Sequence, residues 1–249
     1  KGNVKVQIIA PGSVTLDSTT KSIPYSFASV ELLNIYDLVS VSGKYAQFFT
    51  KASQVDSQII GNQPHGQFLK SKDGVYTPRN YLSLQLATIY YHSQNLVKME
   101  QELKFDEPRK KPLKIILETP ILNSKQTDNN AFYESRLDAI IFLKYSEGDL
   151  PLALNGGVFA HEYFHSIFEK IVLKSLKKNE LFSLPVSINK IHSESKHQDV
   201  QKIDLSQKVA DMKKRLATSP FILSEDNVKW YYALLLKGFN EGLADYWGW

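Results

Sequence analysis

Residues 158–168 read VFAHEYFHSIF, and no other stretch of the chain restricts its fold so tightly. Val158, Phe159, Phe164, Ile167 and Phe168, with Ile171 just beyond, make the segment apolar nearly all round. That pattern predicts a buried helix. Asn155 precedes it as an N-cap, and Lys174, Lys177 and Lys178 follow as a basic turn suited to a helix C-terminus. This buried helix nevertheless carries His161, Glu162 and His165, which need partners wherever water is excluded. Histidines at i and i+4 project from one face about 6 Å apart. At that spacing both imidazoles reach one Zn²⁺, at about 2.0–2.1 Å each. Glu162 lies three positions before His165, on the same side, where it can take a proton from an attacking water. The plainer reading, two unrelated histidines on a helix, leaves each buried polar group to find its own partner.

Cysteine is absent, so a metal site in this chain must be built from His and carboxylates. A catalytic zinc needs a third protein ligand and one open position. Residues 240–245, NEGLAD, offer it. Glu241 and Asp245 are at i and i+4 on one helix face, Glu241 as the ligand and Asp245 as acceptor for the far nitrogen of a ligating His. The competing reading is a solvated acidic face. Leu234, Leu235, Leu236, Phe239 and Leu243 argue against it by predicting that this helix is buried too.

The 249 residues suit one large domain or two small ones, and the fold class expected is α+β. Residues 1–74 read as a small β-rich region. Val4, Val6 and Ile8 alternate with Lys5 and Gln7, and Pro11-Gly12 closes the run. Residues 75–249 read as the catalytic domain. It begins with a helix over residues 80–103, whose apolar face is Leu82, Leu86, Ile89, Leu96 and Leu103. A charged, proline-bearing linker follows over residues 106–112. Residues 113–118 (LKIILE), 129–133 (NNAFY) and 137–145 (LDAIIFLKY) read as strands. Residues 175–223 read as an insertion, partly a polar loop holding His192 and His197. A last helix opens at residues 224–226. His65 and His92 read as turn and helix-surface residues. Ser146 to Asp149 form a turn with carboxylate oxygens, a candidate Ca²⁺ site.

HEYFH, NEGLAD and NNAFY together resemble the thermolysin-like gluzincins, in which HExxH, an N-E-x-x-x-D ligand motif and an N-A-F-W edge strand recur. The aromatic-rich helix segment ATIYYHSQ adds a weaker likeness, and the whole spans about residues 80–249. The resemblance implies a zincin-like domain with a mixed sheet and an active-site helix. It implies one catalytic Zn²⁺ on His161, His165 and Glu241, with Glu162 as general base and then proton shuttle. Asn240 and Asp245 would support the ligands. Asn130 and Ala131 would contact an extended peptide substrate by strand addition. The expected activity is zinc-dependent endopeptidase hydrolysis. Two departures stand out. Residues 166–240 separate the second His from Glu241, far more than in the family. The sequence also stops four residues after Asp245, where the family continues into a helical subdomain carrying an oxyanion-stabilising group. That subdomain is expected to be missing here, with Tyr231 or Tyr232 the nearest candidates for its role.

The formal net charge of +4, without a basic stripe, suggests no nucleic-acid partner. No run of 18 apolar residues predicts a transmembrane helix. The family's habit and the opening Lys1 in place of Met imply a secreted or extracytoplasmic protein. The alternatives to a peptidase are a non-catalytic zinc-binding scaffold of the same fold and a peptide-binding protein built on the β-rich region.

Overall fold

In the computed structural model the described residues are 2–11, 25–55, 58–103, 109–118, 129–145, 151–173 and 225–248. The insertion at 175–223, His192, His197 and the Ser146 to Asp149 turn lie outside them. Two compact units divide the chain: Lys1–Glu169 with Leu243–Trp249, and Lys170–Gly242.

The first unit is mixed α+β and holds two five-stranded sheets. In chain order its strands are β1 (Gly2–Pro11), β2 (Tyr25–Asp37), β3 (Ser42–Gly43), β4 (Ala46–Val55), β5 (Gln58–Asn62), β6 (Phe68–Lys70) and β7 (Tyr76–Pro78). Then come helix α1 (Tyr81–Glu102), β8 (Leu113–Leu117), β9 (Ala131–Glu134), β10 (Ala139–Phe142), a 3₁₀ turn (Leu152–Leu154) and helix α2 (Gly156–Phe168). One sheet has the order β3-β2-β1-β7-β6 and the other β5-β4-β8-β10-β9. The second is parallel through β4, β8 and β10 and carries an antiparallel strand at each edge. Strands from before and after residue 74 pair within it, β4 with β8 for example. A π-turn (Glu169–Leu173) follows α2. Helix α3 (Glu225–Gly248) enters the second unit's residues first, and its last turn belongs to the first unit.

The local reasons for these elements are legible. In β1, Val6 and Ile8 are fully buried while Lys5 is exposed, the alternation of a strand with one face in the core. In β8, continuous apolar sequence matches burial at Leu113, Ile115, Ile116 and Leu117, as in a parallel strand covered on both faces. Helix α1 starts where the Asn80 side chain accepts from the Ser83 N–H at 2.9 Å.

Helix α1 packs against β1, β2, β4, β7 and α2. Its buried set is wider than a leucine face. Ser83, Gln85, Thr88, Ser93, Gln94 and Glu100 are buried along with Leu86, Ile89 and Tyr90, while Leu103 is exposed. The polar members end on specific partners. Gln94 accepts from the Leu33 N–H and donates to the Glu31 carbonyl, both at 2.9 Å, taking the place a neighbouring strand would have beside β2. The Ser83 hydroxyl accepts from the Gln67 N–H, and the Tyr90 hydroxyl donates to the Leu33 carbonyl. Phe48, Tyr90, Phe142, Phe159 and Tyr163 are the largest side chains of the core, and each stabilises the fold by about 2–3 kcal/mol through burial.

His92 is half-buried on α1 and does not lie fully on its surface. Its ring packs 6.4 Å from Phe159, its imidazole faces Gly156, and its Nε2 is buried with no hydrogen-bond partner among the described residues. Burial alone pushes this imidazole below its usual value of 6.5. A depressed folded value means that the unfolded chain takes up the proton first. The stability His92 contributes is therefore complete above about pH 6.5 and is lost as pH falls from there through its folded value. Urea unfolding at pH 7.5 and 5.5 should show a loss of stability that shrinks in His92→Phe. An identical pH dependence in that variant would show that His92 takes up its proton equally in the folded and the unfolded chain.

Candidate metal centre

Helix α2 begins at Asn155, whose Oδ1 accepts from the N–H groups of Gly157 and Val158 at 3.0 and 3.3 Å. Most of the helix is buried. Phe159, Glu162, Tyr163, His165, Ser166, Ile167 and Phe168 are all below one-tenth exposed, and His161 is intermediate.

The last turn of α3 crosses α2 at backbone contact. A Cβ on Gly157 would stand 2.7 Å from the Gly248 carbonyl oxygen, and one on Gly248 would stand 2.8 Å from the Gly157 carbonyl oxygen. One turn further along α2, and one turn back along α3, His161 Nδ1 meets Asp245 Oδ1 at 3.0 Å. The pairs 157 with 248 and 161 with 245 define two helices running in opposite directions. His161, His165 and Glu241 each present a ligand atom, and the three atoms lie within 4.8 Å of one another. Phe164 packs against Trp247 in a tilted ring pair, centroids 5.3 Å apart, and flanks the crossing.

The electrostatics of the pair of histidines suit a cation. Asp245 lies against His161 Nδ1, and a proton held between those two atoms would leave the Nε2 lone pair for a ligand. That Nε2 faces the Nε2 of His165 at 3.0 Å, with the rings at 87° to each other. Two imidazole nitrogens on one zinc at about 2.05 Å stand about 3.3 Å apart in tetrahedral geometry. The observed separation is a few tenths of an ångström short of that. A His-His-Glu group of this kind can hold a metal ion.

Glu162 turns to the strand at the edge of the second sheet. Its Oε2 accepts from the backbone N–H of Tyr133 in β9 at 2.9 Å. Ala131 starts the same strand and Asn130 immediately precedes it. The Asn130 Oδ1 accepts from the Ala131 N–H at 2.9 Å, and the Asn130 carbonyl accepts from Leu143 N–H, also at 2.9 Å. Both residues are therefore held in the edge, with the Ala131 N–H already satisfied. Asn240 is half-buried one position before Glu241.

The far side of α2 is polar as well, which sequence patterning did not show. Arg109 falls in the stretch that reads as a charged linker, yet its side chain is 3% exposed. It forms a two-bond fork on Asp138 at 2.7 and 3.0 Å and donates to the Ser166 hydroxyl at 3.1 Å. Tyr133 donates its hydroxyl to Asp138 at 3.0 Å, and Tyr163 donates to Glu100 at 2.5 Å. Burial first, and then the neighbouring carboxylate, hold both phenols well above their usual range, so both act as neutral donors.

One expectation fails on α3. Phe239 and Leu243 are 56% and 45% exposed, whereas Ala244 is fully buried. Gly248 lies at the crossing, where a side chain would hold the two backbones apart. The side chains of Tyr231 and Tyr232 are outside those described.

The crossing predicts a test. Gly157→Ala has no room short of moving the Gly248 backbone, so it should weaken metal affinity by 10-fold or more, in the range typical of lost ligand support, about 10–100-fold. Gly238→Ala, with nothing among the described residues within 4 Å of its Cβ, should leave affinity unchanged. Competition against a zinc chelator measures both, and equal affinity in the two variants would show that the crossing does not set the site.

Compared with known proteins, the chain matches no family model and no curated sequence.

Proposed function

We propose that the chain is a zinc-dependent peptidase with a zincin-like fold of the gluzincin type. One observation carries the reading. His161, His165 and Glu241 gather their ligand atoms within 4.8 Å, and the residue between the two histidines, Glu162, is a carboxylate held against the edge strand of the sheet. Composition supports zinc over softer-ligand metals, since two imidazoles and a carboxylate suit it and no thiolate exists in the chain.

His161, His165 and Glu241 would hold the ion, and Asp245 would orient His161 through its Nδ1 proton. When bound, Zn²⁺ supplies Lewis acidity toward a carbonyl oxygen and toward water. Glu162 accepts the proton of the attacking water and delivers it to the leaving amine. The Tyr133 N–H fixes one oxygen of that carboxylate. A peptide in extended form would lie along the edge strand β9 near Asn130 and Ala131. Both residues engage local partners in the structure, so the peptide must compete with the Asn130 side chain for the Ala131 N–H. Export from the cytoplasm belongs to the same proposal.

Elemental mass spectrometry should find about one zinc per chain and a sharp loss in Glu241→Ala. Glu162→Gln should retain the metal while peptide hydrolysis falls by about 10²–10⁴-fold. Stoichiometric zinc without hydrolysis in the wild type would replace the peptidase by a zinc-binding scaffold. No zinc under metal-replete conditions would remove both.

A further inference from the structure

We propose that Arg109 is a positioning residue for Glu162, acting through the β9–β10 hairpin. Its consequence for hydrolysis rests on the reading of Glu162 as the base. The mechanical coupling does not.

Tyr133 is the link. Its backbone N–H donates to Glu162 Oε2 at 2.9 Å, and its hydroxyl donates to Asp138 Oδ1 at 3.0 Å. Asp138 closes the turn between β9 and β10 in a left-handed backbone conformation, φ 48°. Arg109 takes both oxygens of Asp138 in one fork and, with the same Nη2, reaches Ser166 on α2. Its guanidinium also lies over the Tyr163 ring at 5.8 Å. Arg109 therefore ties the end of the hairpin to α2 one turn beyond Glu162, while Tyr133 ties the middle of β9 to Glu162 itself. Strand and helix are joined at two points, and the position of the Tyr133 N–H relative to the carboxylate follows from the pair.

Stability alone does not account for the arrangement. Burying a guanidinium is costly, and buried ion pairs often contribute nothing net compared with apolar packing. The Arg109 Nε is buried without a partner among the described residues, which adds to that cost. The fork, by contrast, fixes direction as well as distance, because both guanidinium nitrogens meet both carboxylate oxygens. Arg136 on the same hairpin is the contrasting case. It pairs with Glu134 at 2.9 Å with its side chain 60% exposed, and it reaches nothing on α2.

The test uses the full chain, uniformly ¹⁵N-labelled and zinc-loaded. Tyr133→Phe identifies the Tyr133 amide resonance by its change, and Glu162→Gln gives the position of that resonance without the charged acceptor. In Arg109→Met the Tyr133 amide should move toward the Glu162→Gln position, and in Arg136→Met it should stay. Where Arg109→Met does not fold, Asp138→Asn, isosteric and half exposed, cuts the same link and decides the matter by the same resonance. Peptide hydrolysis should show kcat lowered by about 10–100-fold with KM within about 2-fold, the signature of a misplaced group and not of lost substrate binding. An unmoved Tyr133 amide in a folded Arg109→Met or Asp138→Asn protein overturns the proposal. A moved amide in a protein that hydrolyses no peptide leaves the coupling standing and removes the peptidase reading instead.

Discussion

Water does not reach most of helix α2, and every polar group on it has to end on something else. Unpaired, a buried carboxylate or imidazole costs several kcal/mol, comparable with a good part of a domain's net stability. The structure answers group by group. Glu162 meets a strand amide, His161 an aspartate, Ser166 an arginine, Tyr163 the carboxylate of Glu100. Each answer recruits a different element: β9, the last turn of α3, the segment before β8, and α1. The arrangement of the first unit around α2 is in this sense a solution to its hydrogen bonds, with the aromatic core of Phe142, Phe159 and Tyr163 filling the space between.

Two faces of α2 do different work. Toward α3, small residues dominate. Gly157 and Gly248 let two backbones approach to contact, and the reward is a register that steps from 157 with 248 to 161 with 245. Toward the hairpin, large charged and phenolic groups dominate, and they set the strand's height against the helix. A metal group needs its ligands convergent to a few tenths of an ångström, and a base needs its carboxylate aimed. On the proposed reading, the close crossing would serve the first requirement and the ionic tie the second.

Helix α1 shows the same logic in the scaffold. It lies among β1, β2, β4, β7 and α2, so its buried surface extends well beyond one stripe, and polar residues fall inside it. Gln94 resolves this by imitating a strand residue beside β2. Sequence periodicity identified the helix within a residue at each end but selected Leu82, Leu96 and Leu103 as core, of which Leu103 is exposed and the other two are half-buried. Periodicity assumes one wet face. A helix enclosed on several sides has too little wet face for the pattern to report.

The sequence by itself determined what is local. HEYFH puts two imidazoles on one helical face, since 3.6 residues per turn brings positions four apart together. NEGLAD does the same for two carboxylates, Asn155 and Asn80 start their helices, and alternation in β1 and continuity in β8 mark their strands. Tertiary structure decided what depends on two segments meeting. His92 reads as a surface residue and is half-buried against Phe159 and Gly156. Arg109 reads as a linker charge and is buried under a hairpin. Phe239 and Leu243 read as core and are exposed. Residue type fixes the chemistry a side chain can offer and its spacing along one element. Whether that side chain faces water depends on which element comes to rest against it, and contacts between residues far apart in the chain leave no period in the sequence.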